Sequence, residues 1–159
     1  MVSFLGEHEC KVDPKGRILL PSRLKAALPP DSSSKLVIQR GFEPYLVLYT
    51  LPEWQKVFEK IMALNEFNED QRRLQRNLLS GNMEVELDNA GRILLPKLMQ
   101  KHAQVDKEAI MVGVGNRIEV WNPELYEQSL IKDSYTFSRM VERYLGKDAG
   151  SIQQLTLPI

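Results

Sequence analysis

The stretch Asp-Pro-Lys-Gly-Arg-Ile-Leu-Leu-Pro at residues 13–21 returns as Asp-Asn-Ala-Gly-Arg-Ile-Leu-Leu-Pro at residues 88–96. Seven of the nine positions are identical, at an offset of 75 residues. Weaker similarity continues downstream of both copies, through two further apolar segments. Self-similarity at a fixed offset marks a duplicated structural unit, so the chain is predicted to hold two copies of one unit of about 45 residues. An insert near residues 53–81 separates them.

The repeated stretch predicts a turn, a short strand and the start of a helix. Its corner residues fit a type I turn closed by a left-handed glycine, which is typical of a hairpin with a bulge. These turn-forming residues are Asp13 and Gly16 in the first copy and Asp88 and Gly91 in the second. The proline that follows ends the strand and suits the first turn of a helix, predicted over 22–28 and 97–102. A second hairpin follows in each unit, predicted over 35–40 and 45–49 in the first and over 109–114 and 117–121 in the second. Each unit is thus predicted to be hairpin, short helix, hairpin.

Each unit is too small to bury enough apolar area to be stable alone. The two copies are therefore expected to intertwine into one small barrel. The predicted fold class is mainly β with helices (α+β). It consists of two pseudo-symmetric units plus inserted and C-terminal helices. Asn68 is the predicted N-cap of an inserted helix, and Asp133 is the predicted N-cap of the C-terminal helix. The expected domains are unit 1 over 7–54, a helical insert over 55–82, unit 2 over 83–126, a C-terminal helix over 127–145 and a flexible tail over 146–159.

The composition excludes several classes of function. The 159 residues include 21 basic and 21 acidic ones, so the formal charge is zero, which argues against a globally basic nucleic-acid coat. No apolar run reaches the roughly 18 residues that cross a bilayer. Acidic residues interrupt the N-terminus too early for a signal-peptide core. The sequence therefore predicts a cytoplasmic protein with no membrane partner.

The residues that could support catalysis or bind a metal are few and scattered. His8, Cys10 and His102 are the only histidines and cysteine, and they fall in different units without an acidic residue at motif spacing. One cysteine forms no internal disulfide, and two neighbouring ligands do not complete a zinc site. Nucleotide-loop, nucleophile-elbow and His-Glu-x-x-His motifs are missing from the sequence. We therefore expect no enzyme activity, no cofactor, no metal and no small-molecule substrate.

The Asp-x-x-x-Arg turn, followed by Ile-Leu-Leu-Pro and a short helix, resembles the AbrB/SpoVT swapped-hairpin DNA-binding unit. Two such turns in one chain resemble the MraZ family more closely. That resemblance covers roughly residues 3–145 and includes the Leu-Pro-Glu-Trp segment at 51–54, the Arg-Arg-x-x-Arg segment at 72–76 and Val120-Trp121. It implies a bacterial transcriptional regulator at the nucleoid, assembled as a ring-shaped homo-oligomer. Its expected target is double-stranded DNA, at the promoter of the division and cell-wall gene cluster that contains its own gene.

The resemblance implies that the arginine ending each motif, Arg17 or Arg92, contacts DNA. Further basic residues follow the first turn more densely than the second, with a net charge of +4 over residues 11–25 and +1 over 86–101. The first unit is therefore expected to contact phosphate more strongly, through Lys11, Lys15, Arg23 and Lys25. The alternative is that each arginine merely forms a salt bridge with the aspartate of its own turn. The aspartates are expected to bond backbone N–H groups.

Two further interpretations stay open on the sequence. A neutral monomer would bind DNA weakly, so an oligomer acting on a promoter with several short repeated boxes is expected. The alternative function is an oligomeric scaffold of the AbrB fold, or a protein-binding module with a toxin partner, without specific DNA readout.

Arg72, Arg73 and Arg76 form either a second basic patch or the solvated or interface face of an amphipathic helix. The aromatic residues Tyr49, Trp54 and Trp121 are expected in the core rather than stacked on bases.

Overall fold

The computed structural model describes residues 3–30 and 34–146, which form eight strands and six helices. The strands are β1 (Phe4–Lys11), β2 (Arg17–Leu19), β3 (Lys35–Arg40), β4 (Tyr45–Thr50), β5 (Met83–Glu86), β6 (Arg92–Leu94), β7 (Glu108–Gly115) and β8 (Ile118–Trp121). The helices are α1 (Ser22–Ala26), α2 (Leu51–Met62), α3 (Glu69–Leu79), α4 (Lys97–Ala103), α5 (Pro123–Ser129) and α6 (Ser134–Leu145). The chain divides into two compact units, Met1–Tyr126 and Glu127–Ile159. Most of the predicted tail, 147–159, lies outside the described residues.

The strands of the first compact unit form two antiparallel sheets. The larger has the order β1-β7-β8-β4-β3-β5, and the smaller pairs β2 with β6. Strands β1 and β2 of the first repeat thus pair with β7 and β6 of the second repeat. In the same way, β5 of the second repeat pairs with β3 of the first. The α+β class and the pseudo-symmetry of the two repeats are confirmed.

The first hairpin predicted in each unit forms its turn, but the predicted pairing of its two strands is wrong. Strand β1 runs along β7 from the pair Phe4↔Gly115 to the pair Lys11↔Glu108, and a single bridge, Val12↔Ile18, joins the end of β1 to β2. The physical reason is that β2 and β6 are three residues long and are followed by proline, which leaves β1 and β5 free to pair elsewhere. The second hairpins, β3 with β4 and β7 with β8, form as predicted.

The repeats contribute equivalent residues to one hydrophobic core. Ile18 and Ile93 are both fully buried, and Leu24 on α1 and Met99 on α4 are both 1% exposed. The larger sheet covers them with its inward residues, among them Leu36, Ile38, Leu46, Leu48, Met111, Ile118 and Val120. Burying one such side chain contributes about 1.5–3 kcal/mol relative to leaving it exposed. The shared core therefore explains how two small repeats stabilise each other.

Local capping sets the starts of the inserted helices. The Thr50 hydroxyl accepts a hydrogen bond from the Glu53 N–H at 3.4 Å, so α2 begins within the predicted unit 1. The Asn68 side chain caps α3 as predicted, by accepting from the Gln71 N–H at 3.0 Å. Helix α3 ends at Leu79, shortly before Gly81, whose φ of +78° fits the predicted stop.

Helix α5 is an element that the sequence analysis missed. The Asn122 side chain accepts from the backbone N–H groups of Glu124 and Leu125, at 2.8 and 3.2 Å, and Pro123 occupies the first turn. An asparagine followed by proline is a helix-start signal that could have revealed it. The buried Tyr126 of this helix donates a hydrogen bond to Glu7 Oε1 at 2.6 Å.

Helix α6 belongs to the second compact unit and has the predicted cap. The Asp133 carboxylate accepts from the Thr136 N–H at 2.9 Å, and the pKa of this carboxyl is lowered chiefly by its hydrogen bond with the Thr136 hydroxyl. Several apolar side chains of the helix are exposed, including Tyr135, Phe137 and Leu145. Among the described residues, we find no helix of the length and apolarity that spanning a membrane requires.

Candidate nucleic-acid interface

The two Asp-x-x-x-Arg turns have the same backbone geometry. In each, the glycine N–H donates to the aspartate carbonyl at 2.9 Å, and the aspartate N–H donates to the arginine carbonyl at 2.9 Å. Gly16 has a φ of +87° and Gly91 a φ of +80°. The left-handed glycine predicted at the end of each turn is therefore confirmed, and side chains other than glycine are strained there.

Each aspartate binds both the backbone of its turn and the arginine that ends it. Asp13 Oδ1 accepts from the N–H groups of Lys15 and Arg17, at 2.9 and 2.8 Å, and Asp13 Oδ2 accepts from Arg17 Nε at 2.7 Å. Asp88 makes the three equivalent bonds, each at 2.9 Å. The backbone N–H of the arginine, followed by its guanidinium, holds the pKa of each aspartate carboxyl below its usual range. The expected hydrogen bonds from backbone N–H groups and the expected salt bridge are both present.

The salt bridge engages one of the three guanidinium nitrogens of each arginine. The side chains of Arg17 and Arg92 are 35% and 36% exposed. Across residues 3–30 and 34–146, only the Nε atom of these two side chains makes a hydrogen bond. An ion pair this exposed stabilises a fold only weakly. The aspartate thus fixes the direction of the arginine while its two terminal nitrogens remain free to donate to a ligand.

Strands β2 and β6 bring the two arginines onto one surface. Their register pairs Arg17 with Leu94, Ile18 with Ile93 and Leu19 with Arg92. Successive residues of a strand point to opposite faces, and both isoleucines are fully buried, so the other four side chains share the outward face. The arginines are diagonal neighbours, with backbones about 7–8 Å apart. We call this surface, formed by Arg17, Leu19, Arg92 and Leu94, the ribbon face.

Each turn is also bonded to the opposite repeat. The N–H of Leu20 donates to the Gly91 carbonyl at 3.0 Å, and the N–H of Leu95 donates to the Gly16 carbonyl at 2.8 Å. From the sequence, the two arginines are expected in separate units, and their joint surface is not predicted. No local signal reveals it, because a three-residue strand carries too little pattern to identify its partner.

Lys25 lies beside the second turn, although the sequence analysis grouped it with the first. Its Nζ is 3.2 Å from the point where a Cβ would stand on Gly91. The equivalent position beside Gly16 is occupied by Gln100, whose Nε2 donates to the Leu95 carbonyl at 2.8 Å. The grouping of Lys25 with the first turn is therefore wrong, because the exchange of strands carries α1 across to the other repeat.

The remaining basic residues of the first copy differ in their surroundings. Lys15 is exposed on the first turn, and Arg23 is exposed on α1. Lys11 pairs in register with Glu108, and the cleft at this position is also lined by Asp106. Acidic neighbours reduce the attraction of Lys11 for phosphate. The positive charge nearest the two arginines therefore comes from Lys15 at one turn and Lys25 at the other.

The aromatic residues pack against one another. Trp121 is 5% exposed and stacks on Tyr45, with ring centroids 4.7 Å apart, while Trp54 lies 6.1 Å from Tyr49 and 6.2 Å from Phe58. The expectation of core packing is confirmed for Trp121. On α3, the arginines at 72, 73 and 76 are exposed, and Arg72 donates to the Glu66 carbonyl at 2.9 Å.

The residues considered for catalysis or metal binding do not come together. Cys10 is half-buried, and burial raises the pKa of its thiol, which disfavours the reactive thiolate. His102 lies on α4, with Nε2 3.2 Å from the Glu43 carbonyl oxygen. Within the part of the chain that the structure describes, no three histidine, cysteine or acidic side chains form a group that could hold a metal ion.

The strand exchange and the ribbon face define a class of protein: a duplicated α+β fold that presents two Asp-Arg turns side by side. The model of the family described as "MraZ protein, putative antitoxin-like" matches residues 3–77 and again residues 78–148. A curated relative from Cytophaga hutchinsonii, named "Transcriptional regulator MraZ", is 48% identical over 142 residues, covering 89% of this chain and 94% of the relative. The chain belongs to the MraZ family, which is a family of transcriptional regulators and not of enzymes.

Proposed function

We propose that the protein is a transcriptional regulator that binds double-stranded DNA sequence-specifically through its ribbon face. The observation that supports this proposal is the placement of Arg17 and Arg92 on one exposed two-stranded ribbon, each with terminal nitrogens that no described residue binds. A two-stranded ribbon fits the major groove, which is about 12 Å wide. There, an arginine can donate to both acceptors of a guanine.

The lysines have a separate role in this proposal. Lys15 and Lys25 lie beside the turns that hold Arg17 and Arg92. Phosphate contacts orient a protein on the duplex and supply affinity, while contacts with base edges supply specificity. The two lysines contact phosphates on either side of the groove, and the two arginines contact the bases.

A single chain offers few cations, so the proposal includes an assembly. The formal charge of the chain is zero, and a few phosphate contacts give weak binding at physiological salt. Several ribbons on one ring-shaped homo-oligomer would convert later contacts into intramolecular ones. The matching target is a promoter with several short repeated boxes, at the division and cell-wall gene cluster in the nucleoid. In this proposal the shared core of each chain is the small intertwined barrel typical of AbrB-type units.

The test is binding to the DNA upstream of the protein's own gene, measured by fluorescence anisotropy over a range of salt concentrations. We expect Arg17→Ala combined with Arg92→Ala to abolish specific binding, with the melting temperature and the oligomeric state nearly unchanged. Lys56→Ala removes an exposed lysine of α2 and should bind like wild type. Retention of specific binding by the double variant would contradict the proposal.

A second pair of variants separates the charge of the arginines from their planar shape. Arg17→Lys combined with Arg92→Lys keeps both cations but loses the bidentate donor fork. We expect salt-dependent binding without preference for the promoter. If this variant kept the promoter preference of wild type, the arginines would contact only phosphate.

The second candidate function is a protein-binding module. The family description "antitoxin-like" and the exposed apolar side chains of α6, among them Phe137 and Leu145, favour it. Such a module would bind a toxin-like protein and would show no steep loss of DNA binding with added salt. The anisotropy titration therefore discriminates between the two functions.

A further inference from the structure

The ribbon face carries two leucines that the described residues leave more than half exposed. Leu19 is 55% exposed and Leu94 is 54% exposed, although both occupy strand positions whose neighbours are fully buried. A single exposed leucine is ordinary on a protein surface. Here the two exposed leucines are equivalent in the two repeats and lie between two cations.

The strand register places each leucine next to an arginine. Arg17 is directly opposite Leu94, and Leu19 is directly opposite Arg92, where side-chain Cβ atoms are about 5 Å apart. Leu19 Cδ1 also lies 3.7 Å from the point where a Cβ would stand on Gly91. When an arginine of the ribbon face binds one base pair, the leucine beside it therefore lies next to an adjacent base pair.

The charges at the corners of the ribbon face indicate its occupant. Around the ribbon face, the two arginines and two flanking lysines outnumber the two turn carboxylates, four to two, so two copies packed on this face would repel each other. A polyanion would be attracted instead. On the floor of the major groove, the apolar group available to a leucine is the C5-methyl group of thymine.

We propose that Leu19 and Leu94 are specificity-determining residues that contact thymine methyl groups in the major groove. This inference rests on the proposed function and extends it from the arginines to the whole ribbon face. Contact between a leucine and a methyl group removes apolar surface from water, which favours thymine over cytosine at the base pairs beside those bound by arginine.

The experiment uses the full-length protein and two versions of the upstream DNA, one containing thymine and one amplified with deoxyuridine in its place. Uracil pairs like thymine but lacks the methyl group. We expect wild type to bind the uracil DNA about 15-fold more weakly, at roughly fourfold for each of the two methyl contacts. Compared with wild type, Leu19→Ala combined with Leu94→Ala should bind thymine DNA more weakly by a similar factor. On uracil DNA, the variant and wild type should have the same affinity.

The comparison of the four affinities cancels any general change in DNA shape caused by uracil, because both proteins experience that change. Leu98→Ala, which truncates a leucine that is 75% exposed on α4, should behave like wild type on both DNAs. Leu19→Met combined with Leu94→Met keeps an apolar contact and should restore the preference for thymine.

Four results would overturn the inference, the last of them together with the proposed function. Equal loss on uracil DNA by wild type and by the alanine variant would show that the leucines do not contact the methyl groups. Equal binding of both DNAs by wild type would show that no methyl contact is made, while the proposed function would stand. A change of oligomeric state in the alanine variant, measured by light scattering, would make the ribbon face a contact between copies. If wild type bound neither DNA, the proposed function itself would fail.

Discussion

The two Asp-Arg turns are nearly identical in geometry but differ in the origin of the lysine that lies beside each of them. Their aspartate hydrogen bonds agree within 0.2 Å, and the exposures of Arg17 and Arg92 differ by one percentage point. The first turn has a lysine of its own, Lys15, where the second has Ala90. The second turn receives Lys25 from the other repeat.

Charge counted along the sequence is therefore a poor guide to charge in space when strands are exchanged. The count predicts a strongly basic first unit and a nearly neutral second one. The structure gives each turn one arginine and one lysine. The expectation that the first unit contacts phosphate more strongly therefore loses its main support, and equivalence of the two turns becomes a testable expectation.

The largest difference between the turns is expected in their tolerance of a side chain at glycine. Gly16→Val and Gly91→Val should each lose about 1–2 kcal/mol of unfolding free energy, because both glycines have left-handed backbones. A Cβ on Gly16 would also stand 2.3 Å from Gln100 Nε2, which would give up its hydrogen bond to Leu95, at a further cost of about 1 kcal/mol. The nearest atom to a Cβ on Gly91 is the flexible end of Lys25, at 3.2 Å, and Leu19 Cδ1 follows at an ordinary contact distance of 3.7 Å.

Urea unfolding of the two valine variants measures this difference. Gly16→Asn and Gly91→Asn are the matched controls, because asparagine tolerates the left-handed region better than valine. Equal losses for the two valine variants would show that the contact of Gln100 with the first turn contributes nothing.

The next effect tests whether the two arginines contribute equally to DNA binding. Arg17→Ala and Arg92→Ala should each weaken promoter binding by about 10- to 100-fold, because each removes one bidentate contact with a base. The measurement is the dissociation constant at one fixed salt concentration. Near-wild-type affinity of the Arg92 variant would mean that the similar geometry of the turns does not give them similar roles.

Much of the local structure could be predicted from the sequence. The duplicated turn, its left-handed glycines and the helix caps at Asn68 and Asp133 each depend on a few neighbouring residues. The second hairpin of each unit was also predictable, because its strands have four to eight residues with a clear apolar pattern.

The joint arrangement of the site could not be predicted in the same way. The pairing of Ile18 with Ile93, which places both arginines on one face, joins residues 75 positions apart through three-residue strands. The position of Lys25 beside Gly91 follows from that exchange. Both are long-range consequences of packing two small repeats into one core, and local periodicity does not encode them.

A smaller effect is expected from the lysines that flank the turns. Lys15→Ala and Lys25→Ala should each weaken binding a few-fold for all sequences and reduce the slope of affinity against salt by about one ion. Lys56→Ala, which removes a lysine paired with Glu53 on α2, is the control and should change neither quantity. Lys11→Ala should have less effect than the first two, because Lys11 lies opposite Glu108.

The reciprocal change sharpens the same comparison. Gln100→Lys would give the first turn the lysine that the second already has, and it should steepen the salt dependence. If Lys25→Ala left the salt slope unchanged while Lys15→Ala reduced it, the lysine delivered by strand exchange would not contact phosphate, and the turns would differ as the sequence count predicts.

The smallest effect concerns the dependence of stability on pH. Hydrogen bonds from the arginine hold the pKa of Asp13 and of Asp88 below the ordinary value of 3.8, so folding favours the ionised carboxylates. Their contribution is complete above 3.8 and is lost as the pH falls below it through the lower folded pKa, because the unfolded chain takes up protons first. Asp13→Asn and Asp88→Asn should each flatten the fall in unfolding free energy in that range, measured by urea titration. Part of the fall in unfolding free energy should remain in both variants, because the pKa of Asp133 is also lowered. Because the same bonds lower both turn carboxyls, the two variants should flatten the curve equally, and flattening by only one of them would show that the turns differ in energy despite their matching distances.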